Sequence, residues 1–86
     1  MLIISHEVAA QSYAAEESWQ ESYIKMLSLS EAGNAEAQFT LGAMYYSGIG
    51  VERDEASAIL WWTKSADQGN EFAKEWLNKL TTKNGE

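Results

Sequence analysis

The sequence predicts an all-α fold of about four helices packed as antiparallel pairs. Three observations lead there. Apolar residues recur every three or four positions in four separate stretches, the spacing of one helical face. Glycines cluster between those stretches, and proline is absent from all 86 residues, so no proline breaks a helix from within. A local grammar then restarts after 36 residues: Gly33-Asn34 returns as Gly69-Asn70, Ala37 as Ala73 and Leu41 as Leu77. Helix, turn and helix inside a unit of that length is the pattern of an α-solenoid. Such arrays present surfaces to partners more often than they carry chemistry.

The first helix is expected from Ser5 or His6 to about Leu29. Val8, Ser12, Ala15, Trp19, Tyr23 and Met26 form its apolar stripe, widened by Ile24 and Leu27. Ser5 can cap its start, Glu7 suits the first turn, and Glu21 precedes Lys25 by one helical turn. Gly33 ends it, because glycine accepts the left-handed conformation of a helix C-terminus. The second helix is expected over about Ala35–Tyr46, packing through Ala37, Leu41, Met44 and Tyr45, with Gly42 admitting a neighbour closely. Ser47 to Arg53 is the connecting loop, plugged onto the core by Val51. Asp54 caps a third helix, Glu55–Asp67, with Ala58, Ile59, Trp62 and Ala66 inward. A fourth spans about Asn70–Thr81 with Phe72, Ala73, Trp76, Leu77 and Leu80 apolar; Glu71 at its start and Lys79 and Lys83 near its end complement the helix dipole.

One resemblance is specific. Ala37-Gln38, Leu41-Gly42, Met44-Tyr45, Gly48-Ile49-Gly50-Val51, Asp54, Ala58, Trp61-Trp62, Lys64, Ala66 and Gly69 fall in the order and spacing of a Sel1-like repeat. That family is related to the tetratricopeptide repeats. It implies antiparallel helix pairs in a short right-handed superhelix, acting as adaptor or scaffold. The resemblance divides the chain into a long capping helix (1–32), one full repeat (33–69) and the first helix of a partial second repeat (70–86). Residues 1–32 lack a counterpart of the Trp-Trp-x-Lys run.

Composition narrows the function classes. A chain this short buries only roughly 60–65 % of its unfolded surface, so it is marginal alone. Its four Trp, four Tyr and two Phe offset that in part. One full unit with two flanking helices also leaves open ends, so a homodimer or a stabilising partner is expected. Cysteine is absent, which fits a reducing cytoplasm and excludes disulfides and thiolate metal sites. Met1 to Ile4 is too short for a signal peptide and reads as a helix start packed on the core. The net charge is −7, with six acids against Lys25 alone in residues 1–50. That charge repels nucleic-acid phosphates and anionic membranes and favours a basic protein partner.

Chemistry finds no foothold. His6 is the only histidine, so no zinc pair at helical spacing exists. Glu16 and Glu17 are neighbours about 100° apart on a helix, not a positioned acid–base pair. Gly48-x-Gly50 follows no strand and is followed by no lysine of a phosphate loop. The chain is therefore expected to be non-enzymatic, without cofactor or metal. In the family the first helix of each unit lines the concave face, which implies a partner groove of Phe39, Ala43 and Tyr46, edged by Glu36 and Thr40. Packing against the first helix is the structural alternative for those aromatics. Trp19 and Trp76 are further contact candidates. Two roles fit: an adaptor or regulator, or a small acidic bacterial immunity or antitoxin protein masking a basic toxin.

Overall fold

Four helices follow one another in the computed structural model, which describes residues 18–85 of the chain and their side chains as far as Thr81. We number them α1 (18–31), α2 (Ala35–Ser47), α3 (Glu55–Asp67) and α4 (Glu71–Gly85). No strand occurs among the described residues.

The 36-residue register seen in the sequence is repeated in the backbone. Gly33 and Gly69 take φ of 101° and 99°, a region that a side chain disfavours. The Gly33 amide donates to Ser30 O at 3.0 Å and the Gly69 amide to Ala66 O at 2.8 Å. Asn34 and Asn70 then cap the next helices, each Oδ1 accepting from the amide three residues on, Ala37 at 2.8 Å and Ala73 at 2.9 Å. The α1–α2 and α3–α4 joints are thus one motif used twice.

The α2–α3 joint is longer. Asp54 caps α3 with Oδ1 accepting from the Ser57 amide at 3.3 Å, while Oδ2 accepts from the Ser57 hydroxyl at 2.8 Å. These bonds to Ser57 hold the Asp54 carboxyl below the usual carboxylate range. The Asp54 amide donates back to Tyr45 O at 2.9 Å, closing the loop onto the end of α2.

Small residues bring the helices together. Ala58 and Ala73 are fully buried, and Trp62 and Leu80 complete the cluster between α3 and α4. Gly42 faces the Trp62 indole so closely that a Cβ there would stand 2.5 Å from its Cδ1 and Nε1. The indole N–H donates to Phe39 O at 3.0 Å, so the largest buried side chain is also satisfied. A polar clamp fixes the end of α3 to the first joint. Ser65 Oγ donates to Ala35 O at 2.7 Å, and Gln68 Nε2 donates to Gly33 O and to Gln38 Oε1, each at 2.9 Å. Gln38 is buried and donates in turn to Ser30 O at 3.0 Å.

Several details differ from expectation. α4 runs four residues beyond Thr81, since nothing in Thr-Lys-Asn breaks a helix, and α2 includes Ser47. Ile24 and Ile59 point outward, at 64 % and 38 % exposure, because each lies at the edge of its stripe rather than its centre. Glu21 and Lys25 form no ion pair; the one found among the described residues joins Lys74 to Glu71 at 3.7 Å. The expected start of the first helix at Ser5 or His6, with Val8, Ser12 and Ala15, lies outside the described residues.

Candidate functional site

α2 and α4 are the first helices of successive units, and they share a face. Phe39 and Tyr46 project from α2 onto Trp62, with ring centroids 6.4 and 5.5 Å away. Phe72 and Trp76 come from α4 one turn apart. Phe72 meets Phe39 at 5.8 Å, while Trp76 lies 5.7 Å from Trp62, nearly parallel to it, and 6.1 Å from Tyr46. Five rings therefore form one continuous strip across three helices. Most contacts are tilted or stacked with offset, arrangements that the ring quadrupoles favour.

The strip is not closed. Trp62 is its buried floor and Phe39 and Tyr46 are half-buried, but Phe72 is 65 % exposed and Trp76 36 %. The 36-residue register explains how this arises. Phe72, Trp76 and Lys79 occupy in α4 the positions that Glu36, Thr40 and Ala43 occupy in α2. Where α2 presents polar and small side chains, α4 presents two rings and a cation.

Two cations sit on the rings at one end of the strip. The Arg53 guanidinium lies 5.3 Å over Tyr46, and its Nε donates to Tyr46 O at 2.8 Å. Lys79 Nζ stands 4.9 Å over Trp76. Neither joins an ion pair among the described residues. Glu71, Lys74 and Glu75 line a neighbouring cleft with Ala66, Asn78 and Thr81, and Glu75 stands one helical turn from both Phe72 and Lys79.

The seven residues expected to meet a partner thus divide three ways. Phe39, Ala43, Tyr46 and Trp76 come together at the shared face, where Phe39, Ala43 and Tyr46 pack against the α3–α4 cluster. Glu36 and Thr40 turn toward α1, lining a shallow cleft of about 230 Å³ with Met26 and Leu29. Trp19 lies at the loop end of the molecule beside Ile49, Gly50 and Val51. Phe72, Arg53 and Lys79 join the same face but were not among the expected residues. The repeat register held the missing signal for two of them, since it aligns Phe72 with Glu36 and Lys79 with Ala43.

On the far side of α2, Tyr45 meets Tyr23 of α1 edge to face, with hydroxyls 2.8 Å apart. This bond, helped by burial, pushes the Tyr45 phenol up to about 12. It is a neutral hydrogen bond between helices, and the nearby Asp54 carboxylate adds a smaller push in the same direction. Among the described residues, no cluster of His, Asp or Glu could hold a metal ion. No helix among them is long and apolar enough to cross a membrane.

Comparison with known proteins settles what the repeating joints belong to. The Sel1 repeat family matches residues 35–70, the span from the start of α2 to the cap of α4. The chain carries a Sel1 repeat. Its geometry agrees with the crystal structure of a Sel1 repeat protein from Oxalobacter formigenes: TM-score 0.66 and 41 % identity, covering 67 % of this chain and 17 % of the other. A sel1-like repeat-containing protein of Acanthamoeba polyphaga mimivirus is 48 % identical over 42 residues, 49 % of this chain and 7 % of its own length. A chitin synthase regulator of Saccharomyces cerevisiae is 39 % identical over 72 residues, 84 % of this chain and 10 % of its own length. An ERAD-associated E3 ubiquitin-protein ligase component of Arabidopsis thaliana is 35 % identical over 51 residues, 58 % of this chain and 8 % of its own. The chain spans a tenth or less of these curated relatives. Sel1 repeats serve generally as protein-interaction units, and the exposed rings of Phe72 and Trp76 lie on α4 just beyond the matched repeat.

Proposed function

We propose that this chain is a non-catalytic interaction module that holds a partner protein on the face shared by α2 and α4. The observation behind this reading is the pairing of exposure with rigidity at Phe72 and Trp76. Both rings are substantially open to solvent, and both are fixed by contacts to neighbouring rings. An exposed ring that is already ordered loses little conformational entropy on binding and contributes apolar area directly. The similarity to a regulator of chitin synthase and to a ubiquitin-ligase component supports an adaptor role.

The test is affinity capture with the full chain as bait, beside a Phe72→Ala, Trp76→Ala variant of matched helicity by circular dichroism. These two residues are better probes than Phe39 and Tyr46, because they are the more exposed rings while Phe39 and Tyr46 are half-buried against the α3–α4 cluster. A partner retained by the parent and lost at least tenfold by the variant supports the face. Retention unchanged by the double substitution rejects it. Sedimentation of both proteins over a concentration series tells a second copy of the chain from a different partner.

A further inference from the structure

α4 keeps one side of a repeat's first helix and loses another. On the side that packs against α3 it matches α2 in the 36-residue register: Ala37, Leu41 and Met44 return as Ala73, Leu77 and Leu80. Ala73 and Leu80 are buried, as Ala37 and Met44 are. A second side of α2 seats the helix that follows it, α3, and four residues hold that contact. Gly42 leaves room for the Trp62 indole, the Phe39 ring stacks on it, Gln38 Oε1 accepts from Gln68, and Ala35 O accepts from Ser65 Oγ. In α4 the same positions hold Asn78, Glu75, Lys74 and Glu71. All four are exposed, and all four line one open cleft of about 680 Å³.

We propose that α4 is a stop for stacking: its outer cleft refuses a further Sel1 unit, whether that unit is joined to this chain or belongs to a second copy. A second copy would present α1, which stands to α2 as α3 stands to α4 in the register. Head-to-tail contacts of that kind do not close on themselves and grow filaments.

Each exchange opposes docking in its own way. A Cβ at Gly42 would stand 2.5 Å from the Trp62 indole, so the whole Asn78 side chain holds a following helix off at that point. Lys74 carries only donors, and an amide arriving as Gln68 does would meet a donor where Gln68 finds the Gln38 acceptor. Glu75 replaces a ring that stacks on the incoming indole with a carboxylate. Covering the cleft would also strip water from Glu71, Lys74 and Glu75, of which only Glu71 and Lys74 form an ion pair among the described residues. The polar exchange is confined to this side. On the face that α4 shares with α2 the register runs the other way, from Glu36 and Thr40 to Phe72 and Trp76. A general gain of surface polarity along α4 would have removed those rings as well.

The experiment grafts a second copy of residues 48–69 after Lys83, where the register would place it. Two extended chains are compared, one with α4 unchanged and one with Glu71→Ala, Lys74→Gln, Glu75→Phe, Asn78→Gly, which gives α4 the residues of α2. Hydrogen exchange at the indole N–H of the grafted counterpart of Trp62 reports whether the added helix docks. With α4 unchanged that indole should exchange as an exposed one does, and with the four substitutions it should be protected at least tenfold more. Protection on the unchanged α4 overturns the stop. So does an indole equally unprotected in both chains, once circular dichroism shows the substituted chain folded. If the fourfold variant does not fold, Lys74→Gln, Asn78→Gly takes its place under the same two outcomes. In sedimentation the full 86-residue chain should form no open-ended series of oligomers as concentration rises. Such a series, retained by the Phe72→Ala, Trp76→Ala variant, would also overturn the stop.

Discussion

Gly42→Ala adds one methyl group to the fold, and the structure fixes where it must go. The new Cβ would lie 2.5 Å from both Cδ1 and Nε1 of Trp62, well inside van der Waals contact. The indole is 1 % exposed and hemmed in by Phe39, Tyr46 and Trp76, so it has little room to swing away. Relief must come from spreading α2 from α3. Overpacking of this kind costs about 1–3 kcal/mol. The displaced indole would also weaken its bond to Phe39 O, a further loss of about 1 kcal/mol for a buried donor. Against this, alanine is favoured over glycine within a helix by about 1 kcal/mol. The net expectation is a destabilisation of about 1–3 kcal/mol, where a solvent-facing Gly→Ala in the same helix would stabilise. For a domain of this size each kcal/mol lowers Tm by about 4–8 °C, readable by circular dichroism. Hydrogen exchange at the Trp62 indole N–H is the local readout, and it should speed up. A variant as stable as the parent, with an equally protected indole, would refute the claim that Gly42 is required by close approach.

The other expectations are narrower. Ser30 is buried with its hydroxyl unpartnered among the described residues, and the equivalent place in the next unit is Ala66; Ser30→Ala should be neutral or raise stability by about 1 kcal/mol, and a clear loss in urea denaturation would contradict that. Asn34→Ala removes the cap of α2 and should cost about 1 kcal/mol by thermal unfolding, whereas an unchanged Tm would show the cap to be redundant. Tyr45 holds its proton to about 12 in the folded chain against 10.0 ordinarily, so this contribution is complete below pH 10 and is lost as pH rises toward 12. Tyr45→Phe should flatten the fall of the urea midpoint across that window, and identical slopes would remove the assignment.

How much of this was legible in the sequence depended on whether a signal was local. The bounds of α3, the Asp54 cap and the glycine-asparagine joints follow from single residues with strong backbone preferences, and they appear where expected. Gly42 was legible because glycine weakens a helix interior, and close approach of a neighbouring helix compensates for that weakness. The helix edges were harder. Ile24 and Ile59 share the hydrophobicity of core residues, and only the crossing of neighbouring helices decides that they face outward. The grouping of the expected residues was legible in part, because Phe39, Ala43, Tyr46 and Trp76 lie together on the proposed face while Glu36, Thr40 and Trp19 lie elsewhere. Treating α2 alone as the groove concealed the contribution of α4. Arg53 was invisible for a different reason. It lies in a loop, and its place over Tyr46 depends on the path that the chain takes from Gly48 to Asp54.

Stability and recognition meet at Trp62. Its ring is pressed on one side by Gly42 and forms on the other the floor on which Phe39, Tyr46 and Trp76 rest. Trp76 lies parallel to that floor and gains both contact and orientation from it. Phe72 gains less, since its described ring contact is with Phe39 and most of its surface stays open. A purely structural α4 would do as well with a polar residue there, as α2 does with Glu36 at the equivalent position. Covering Phe72 instead would return about 25 cal/mol for each Å² of apolar surface removed from water. The strip is therefore anchored through a core residue and left partly open, which is the physical condition the proposed site needs to be rigid before a partner arrives. The same link means that loosening Trp62 through Gly42 should disturb the exposed rings, although Gly42 itself is buried beneath them.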